Sequence, residues 1–175
     1  MERLPKKLGR LQIKTMKIKN YWLHLKTINQ HRKWVRRYCF SVKLYWQGLF
    51  HDISKYSPTE FLESVKYFQG TRSPITAAKE ANGYSMAWFH HRGRNKHHHV
   101  YWTDKYDEGI IPIKMPRKYV YEMICDWMGA ARVYMGEGFT YKAEYEWYKN
   151  RKLILHFETK RLVDTIMDYI YTYKQ

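Results

Sequence analysis

The sequence predicts an all-α protein. Apolar side chains recur close to the helical period of 3.6 in several stretches, Ser-Pro helix openings appear twice, and the alternation that marks strands is weak. From Tyr21 to Leu49, the residues Ile28, His31, Val35, Tyr38 and Val42 fall on one helical stripe. Ser57-Pro58-Thr59-Glu60 supplies an N-cap, a proline at the first helical position and a capping-box glutamate, with a stop near Gly70. Ser73-Pro74 repeats the opening, and a helix is expected from there through Trp88 to the first histidine pair, with Gly83 inside it. Residues 103–115 carry Asp104, Asp107, Gly109 and Pro112 and read as irregular. Pro116 opens a helix with Val120, Met123, Ile124, Trp127 and Ala131 on one face, ended by Gly136 and Gly138. A short helix from Tyr141 to about Tyr148 follows, then a last one from about Thr159 to Tyr173 with its apolar stripe at Leu162, Ile166, Tyr169, Ile170 and Tyr173. The sum is about six helices in a bundle.

Composition bounds the class. One domain over residues 1–175 is expected, made of a basic N-terminal arm (1–19), a core (24–135) and C-terminal helices (141–173). The 45% hydrophobic and 18% aromatic content argues against disorder. Seventeen tyrosines and seven tryptophans imply a core of amphipathic rings. No apolar run approaches the ~20 residues of a membrane span, so no transmembrane segment is expected. The basic stretch Met1–Asn20 has no apolar centre and does not read as a signal peptide. Cys39 and Cys125 sit in apolar helical surroundings, outside any CxxC motif. They read as reduced core residues of a cytoplasmic protein.

The net charge is +16, and before Asp52 the only acid is Glu2. Such a field favours anionic partners: a phosphate-bearing small molecule, nucleic acid or an acidic membrane surface. The plainer reading of much of this charge is a solvated face.

The histidines carry the chemistry. His31 lies on a helical stripe, His51-Asp52 precedes Lys55, His90-His91 precedes His97-His98-His99, and Asp126 sits in an apolar helix. Imidazole and carboxylate together are the ligand set of a transition metal that keeps open positions. Taken alone, His31 is more often a satisfied core residue than a ligand. In one straight helix His90-His91 and His97-His98 would be ~10.5 Å apart, too far to share a metal. Gly93 and Asn95 are helix-ending types, however, and a break there folds the second pair toward the first. Asp126 needs a metal, a cation or several hydrogen bonds if buried; the plainer alternative is a partly exposed carboxylate paired with Arg132 or a lysine. His99 reads as exposed, and His24 and His156 as structural or surface residues.

His31, His51-Asp52, the His90–His98 region and Asp126 resemble, in order, the ligands of the HD-domain superfamily of helical metalloproteins. His51-Asp52-Ile53-Ser54-Lys55 resembles its His-Asp-x-x-Lys signature. With Trp88, Asn95, Trp102 and the run Glu122–Trp127, the chain looks closest to a small uncharacterised bacterial and phage HD-like family. The resemblance spans His31 to Asp126. It implies an HD-like helical bundle and a metal-dependent phosphohydrolase acting on a nucleotide or other phosphoester. It implies one or two divalent transition-metal ions (Fe, Mn, Co, Ni or Zn). Candidate ligands are His31, His51, Asp52, His90, His91, His97, His98 and Asp126. Asp52 would bridge two metals, with His31, His51 and Asp126 on one side and His91 with His97 or His98 on the other. Asp52 and Lys55 are the candidate catalytic residues. Lys55, Arg92, Arg94 and Lys96 are candidates for substrate phosphate. The Gly-Tyr-Pro element of cyclic-dinucleotide phosphodiesterases is missing, which disfavours that substrate. Two alternatives stand beside this one. The helical di-iron myo-inositol oxygenase has a similar ligand order, and a basic nucleic-acid-binding protein would stack bases on its Trp and Tyr rings.

Overall fold

A computed structural model describes residues 18–107 and 109–174. Most of the basic arm, residues 1–17, lies outside the described residues. The chain is mostly helical, with eight α-helices and one small hairpin among the described residues. The helices are α1 (Ile18–Ser41), α2 (Tyr45–Phe50), α3 (Pro58–Lys66), α4 (Pro74–Asn82), α5 (Met86–Arg94), α6 (Arg117–Met135), α7 (Tyr141–Lys149) and α8 (Phe157–Tyr173).

Two of the expected helices are each split, which turns six into eight. Between α1 and α2, Lys43 takes a positive φ of 62°, and Cys39 O accepts from both Val42 N and Leu44 N. The chain turns back, and Gly48 of α2 lies so close to α1 that a Cβ there would sit 2.9 Å from Cys39 Cβ. The second split falls at Gly83, whose φ of 82° is a left-handed helix stop. Ser85 then caps a new helix by accepting from Trp88 N at 3.1 Å. The Glu63 carboxylate also accepts from Met86 N and Ala87 N. A negative charge thus closes the positive end of α5.

Ser57 accepts from Glu60 N at 3.4 Å, as its capping signal predicts, and Pro58 opens α3. The Glu60 side chain does not close the box; it turns to His90 and His91 instead. Residues 103–115 are not irregular throughout. Thr103–Tyr106 (β1) and Gly109–Pro112 (β2) pair antiparallel, with Thr103 opposite Pro112 and Tyr106 opposite Gly109. Four-residue strands holding a proline and a glycine leave too little alternation to read.

The spine is α1 packed along α6. Gly129 permits the approach: a Cβ there would lie 2.5 Å from Val35 Cγ2 and 3.2 Å from Val35 N. Val35, Cys39 and Cys125 fill this crossing, and both thiols are free and buried. A larger core joins α6, α7 and α8 through Val120, Met123, Met128, Tyr148, Val163 and Met167. Tyr148 buries its ring and donates its hydroxyl to Asp164 at 2.7 Å. In α8 the buried line is Thr159, Val163 and Met167; the expected Tyr169 and Tyr173 are exposed. The packing centre is rotated one position from the apparent stripe because amphipathic tyrosines counted as apolar. No helix among the described residues is long and apolar enough to cross a membrane.

Candidate metal centre

The α1–α6 crossing and the turns around it bring the distant histidines and acids together. On α1 the buried stripe is His24, Ile28, His31, Val35 and Cys39, so helical periodicity alone aims His31 inward. The turn after α2 carries His51 and Asp52. Asp52 adopts a left-handed φ of 54°, a conformation that aspartate tolerates better than most residues but that still costs energy. Arg32 fixes this turn: its Nε donates to His51 O at 2.8 Å and its Nη2 to Leu49 O at 2.9 Å. At the end of α5, Asn95 breaks the helix. Its amide donates to His91 O at 2.8 Å and to Ser54 Oγ at 2.9 Å. The chain then folds His97 and His98 back, leaving the His91 and His98 rings 4.8 Å apart. Asp126 comes from α6.

Two groups of potential ligands result, and Asp52 belongs to both. One is His31, His51, Asp52 and Asp126; the other is Asp52, His91, His97 and His98. Within each, donor atoms lie within 4.8 Å of one another. His31 Nε2 is 3.0 Å from Asp126 Oδ1 and 3.4 Å from Asp52 Oδ2, and 3.3 Å from His51 Nε2. On the other side, His91 Nε2 and His97 Nε2 are 3.3 and 3.4 Å from Asp52 Oδ1. Ligands bound at ~2.0–2.2 Å to a common ion stand roughly 3–4 Å apart, so this spacing fits.

Four ring nitrogens face Asp52, and in His51, His91 and His97 another carboxylate holds the opposite side of the ring. His51 Nδ1–H and His97 Nδ1–H both donate to Glu122 Oε1, at 3.1 and 3.3 Å. His91 Nδ1–H donates to Glu60 Oε2 at 2.7 Å. This is the usual outer support of metal-binding histidines, and it turns Nε2 of each ring toward the centre. Burial of His51 and His91 is outweighed by Asp52, which raises both above the ordinary imidazole range, so an ion bound there would displace their Nε2 protons. Glu122 could itself be grouped with His51 and His97 as a ligand. Its contact with Nδ1 of both rings, opposite the Asp52 side, makes it a support.

The electrostatics suit a cation. Burial opposes ionisation of Asp52, but the charges of His51 and Lys55 outweigh it and hold the carboxyl well below the usual range. Asp126 is likewise lowered: burial is outweighed by hydrogen bonds from His31 and His51. Both are anionic near neutral pH. Burial and the neighbouring His97 and His91 hold His98 well below the ordinary imidazole range, so it is neutral and free to donate a lone pair. Asp52 Oδ1, His97 Nε2 and His98 Nε2 are buried without a hydrogen-bond partner among the described residues. Orphaned polar atoms are costly in a protein interior, and three of them converging on one point fit a metal ion.

Over residues 20–169 the chain matches a family of unknown function, DUF5662. It belongs to that family. Every residue of both ligand groups lies within the matched span. Among curated proteins and among solved structures nothing matches the chain.

Of the residues singled out in the sequence, this DUF5662 chain gathers His31, His51, Asp52, His91, His97, His98 and Asp126, with Lys55 beside them. Lys55 Nζ is 2.6 Å from Asp52 Oδ2. His90 stands apart from both groups, with its Nδ1 2.6 Å from Glu60 Oε1. Arg92, Arg94 and Lys96 also turn away: Arg92 lies over Phe89, Arg94 reaches His90 O, and Lys96 lies over Tyr101. Asp126 does not pair with Arg132, which instead donates to Tyr38. His99 is half-buried rather than exposed. His156 caps α8, accepting from Glu158 N, as a structural residue would.

A cavity of about 300 Å³ opens onto the centre, reaching His31, Lys55, His91, His98 and Asp126. Residues the sequence did not point to stand around it: His24, Lys79, Tyr134 and Arg151. Glu60 and Glu122 were also missed. Asp126 lies four residues after Glu122 on one face of α6, which was a readable signal. Glu60 was hidden by its plausible role as a cap.

Proposed function

We propose that this DUF5662 chain is a metal-dependent phosphohydrolase of HD-domain type, acting on a nucleotide or another phosphoester. The observation that carries the reading is Asp52, shared by two ligand groups with Lys55 at 2.6 Å from its carboxylate and lining the cavity. His31, His51, Asp52 and Asp126 would hold one divalent transition-metal ion, and Asp52, His91, His97 and His98 a second. Fe, Mn, Co, Ni and Zn all accept such mixed N/O ligation. When bound, such ions supply a Lewis acid for a phosphoryl oxygen and lower the pKa of water toward neutrality. Glu122 and Glu60 keep His51, His97 and His91 in the tautomer that presents Nε2. Lys55 stays protonated: burial is outweighed by Asp52 and Asp126, which push its pKa up. Its ammonium offsets charge on a substrate phosphate in a site shielded from water. The buried, free thiols fit a reducing compartment, and the proposal places the enzyme in the cytoplasm.

The test is turnover of a panel of nucleotides and simple phosphodiesters by untagged protein loaded with each metal in turn. At least one phosphoester is expected to be hydrolysed. Lys55→Ala should keep its metal and lose about tenfold or more in turnover, which corresponds to ~1.4 kcal/mol. Lys55→Arg should recover only part, since a planar fork does not replace a point charge. Hydrolysis of no phosphoester by the metal-loaded protein would overturn the proposal. Full activity in Lys55→Ala would remove the phosphate role.

A further inference from the structure

The cavity has a second charged feature that the proposed chemistry does not use. Lys79 from α4 and Arg151 from the segment after α7 line it together. They are 72 residues apart in sequence (151 − 79), so the fold must bring these like charges together. Each rests on an aromatic face: Lys79 Nζ lies 4.7 Å from the Trp88 ring centroid, and the Arg151 guanidinium lies 4.5 Å from that of Trp147. Among the described residues neither has a carboxylate within 4.0 Å, although Arg72 and Lys160 have such partners. Partial burial and the charges of Arg92 and Arg151 lower the pKa of Lys79, as expected for a cation that shares a cavity with another. The acid that feels Arg151, Glu144, is buried, and its pKa is raised to about 7 by burial and by Asp126. It is therefore a weak counter-ion near neutral pH.

Two more features of the same cavity point to a ligand. The first turn of α4, Ser73 to Thr76, lines it, and Ser73 makes no side-chain cap. Pro74 has no N–H, and Thr76 N and Ala77 N donate to Ser73 O, so Ile75 N–H is the first-turn donor left at the positive end of the helix. His24 is 5% exposed, lines the cavity and has Nδ1 without a partner among the described residues. Burial and Lys55 bring its pKa down to about 4, so it is a neutral hydrogen-bonding group.

We propose that Lys79 and Arg151, with the open end of α4 and His24, form a second anion subsite, so that the substrate is a small molecule with an anionic group besides the reacting phosphate. The second group is a phosphate or a carboxylate. The inference deepens the phosphohydrolase reading and rests on it for the first subsite. A cavity of about 300 Å³ is small, at the low end for ligand sites, which favours a compact two-anion molecule over a polymer.

The experiment uses the full chain with its metal bound and reads binding and turnover separately. Adenosine 3′,5′-bisphosphate is compared with adenosine 5′-monophosphate, and 3-phosphoglycerate with glycerol 3-phosphate. The wild type is expected to bind one of the two-anion ligands at least about tenfold more tightly than its one-anion partner; which pair shows the preference tells phosphate from carboxylate. Lys79→Ala with Arg151→Ala should bring that ratio close to one, and Lys79→Glu should invert it. Circular dichroism and metal content check that these surface variants remain folded. Equal binding within both pairs, or a ratio unchanged in the variants, overturns the subsite. A preference without turnover of any ligand leaves the subsite standing and removes the hydrolase reading; turnover without a preference does the reverse.

Discussion

Glu122 shows how much depends on a residue that holds the candidate ligands in place. It accepts Nδ1–H from both His51 and His97, which lie in different turns. Glu122→Ala should therefore weaken metal binding about 10–100-fold, while Glu122→Gln, which keeps an acceptor oxygen, should lose less. Competition against a chromophoric chelator measures this; equal affinity in wild type and Glu122→Ala would show that the rings are oriented by packing alone. The candidate ligands were legible in the sequence from the order of the histidines and aspartates along the chain, not from any one of them alone. Their supports were not. The Glu122 partner lies 71 residues away at His51, and a helical glutamate is ordinarily a solvated residue. His90 was misread for a related reason: adjacent residues on a helix point about 100° apart, so only one of the pair faces the centre. A chain of letters does not say which.

Elements position the centre through one close crossing. His31 and Asp126 sit on α1 and α6, and Gly129 sets how near those helices come. A Cβ at Gly129 would meet Val35 side chain and backbone, and backbone cannot swing away. Gly129→Ala should cost about 1–3 kcal/mol, or some 3–10 °C in Tm for a domain of this size, and should weaken metal binding as His31 and Asp126 are pushed apart. Thermal unfolding with and without chelator reads both effects; an unchanged Tm would mean the crossing is looser than described. The Ser57-Pro58 and Ser73-Pro74 openings and the stop at Gly136 are local, so these helix ends could be read. The break at Lys43 escaped reading, and Gly83 was noted but the helix was carried through it, because a glycine inside a helical stretch need not end it. Only contact with α1 and the Glu63 cap makes the turns worthwhile.

At the scale of the whole molecule, burial of charge sets the response to pH and to metal. Glu144 has its pKa raised from 4.5 to about 7 inside the fold. Folding therefore favours its protonated form. Its unfavourable contribution is absent below about pH 4.5, grows as pH rises toward 7, and levels off above. Glu144→Gln should then stabilise the protein at pH 8 by on the order of 2–3 kcal/mol and leave it nearly unchanged at pH 4.5, by thermal unfolding in chelator. Equal effects at both pH values would show that the raised pKa is not present. The mostly helical class was legible because period and caps repeat along the chain, whereas the hairpin at 103–112 was not. The two ligand groups around Asp52 were named from the resemblance rather than from periods and caps, since they join α1, the turn after α2, α5, the loop after it and α6. The most direct measurement is elemental analysis of untagged protein, with Asp52→Ala and Asp126→Ala beside it. The wild type should carry one or two transition-metal ions per chain, and Asp52→Ala, which removes the shared ligand, should carry none. Asp126→Ala should lose its metal as well. A wild-type protein with less than about a tenth of an equivalent, and no uptake of Mn, Fe, Co, Ni or Zn, would contradict the account.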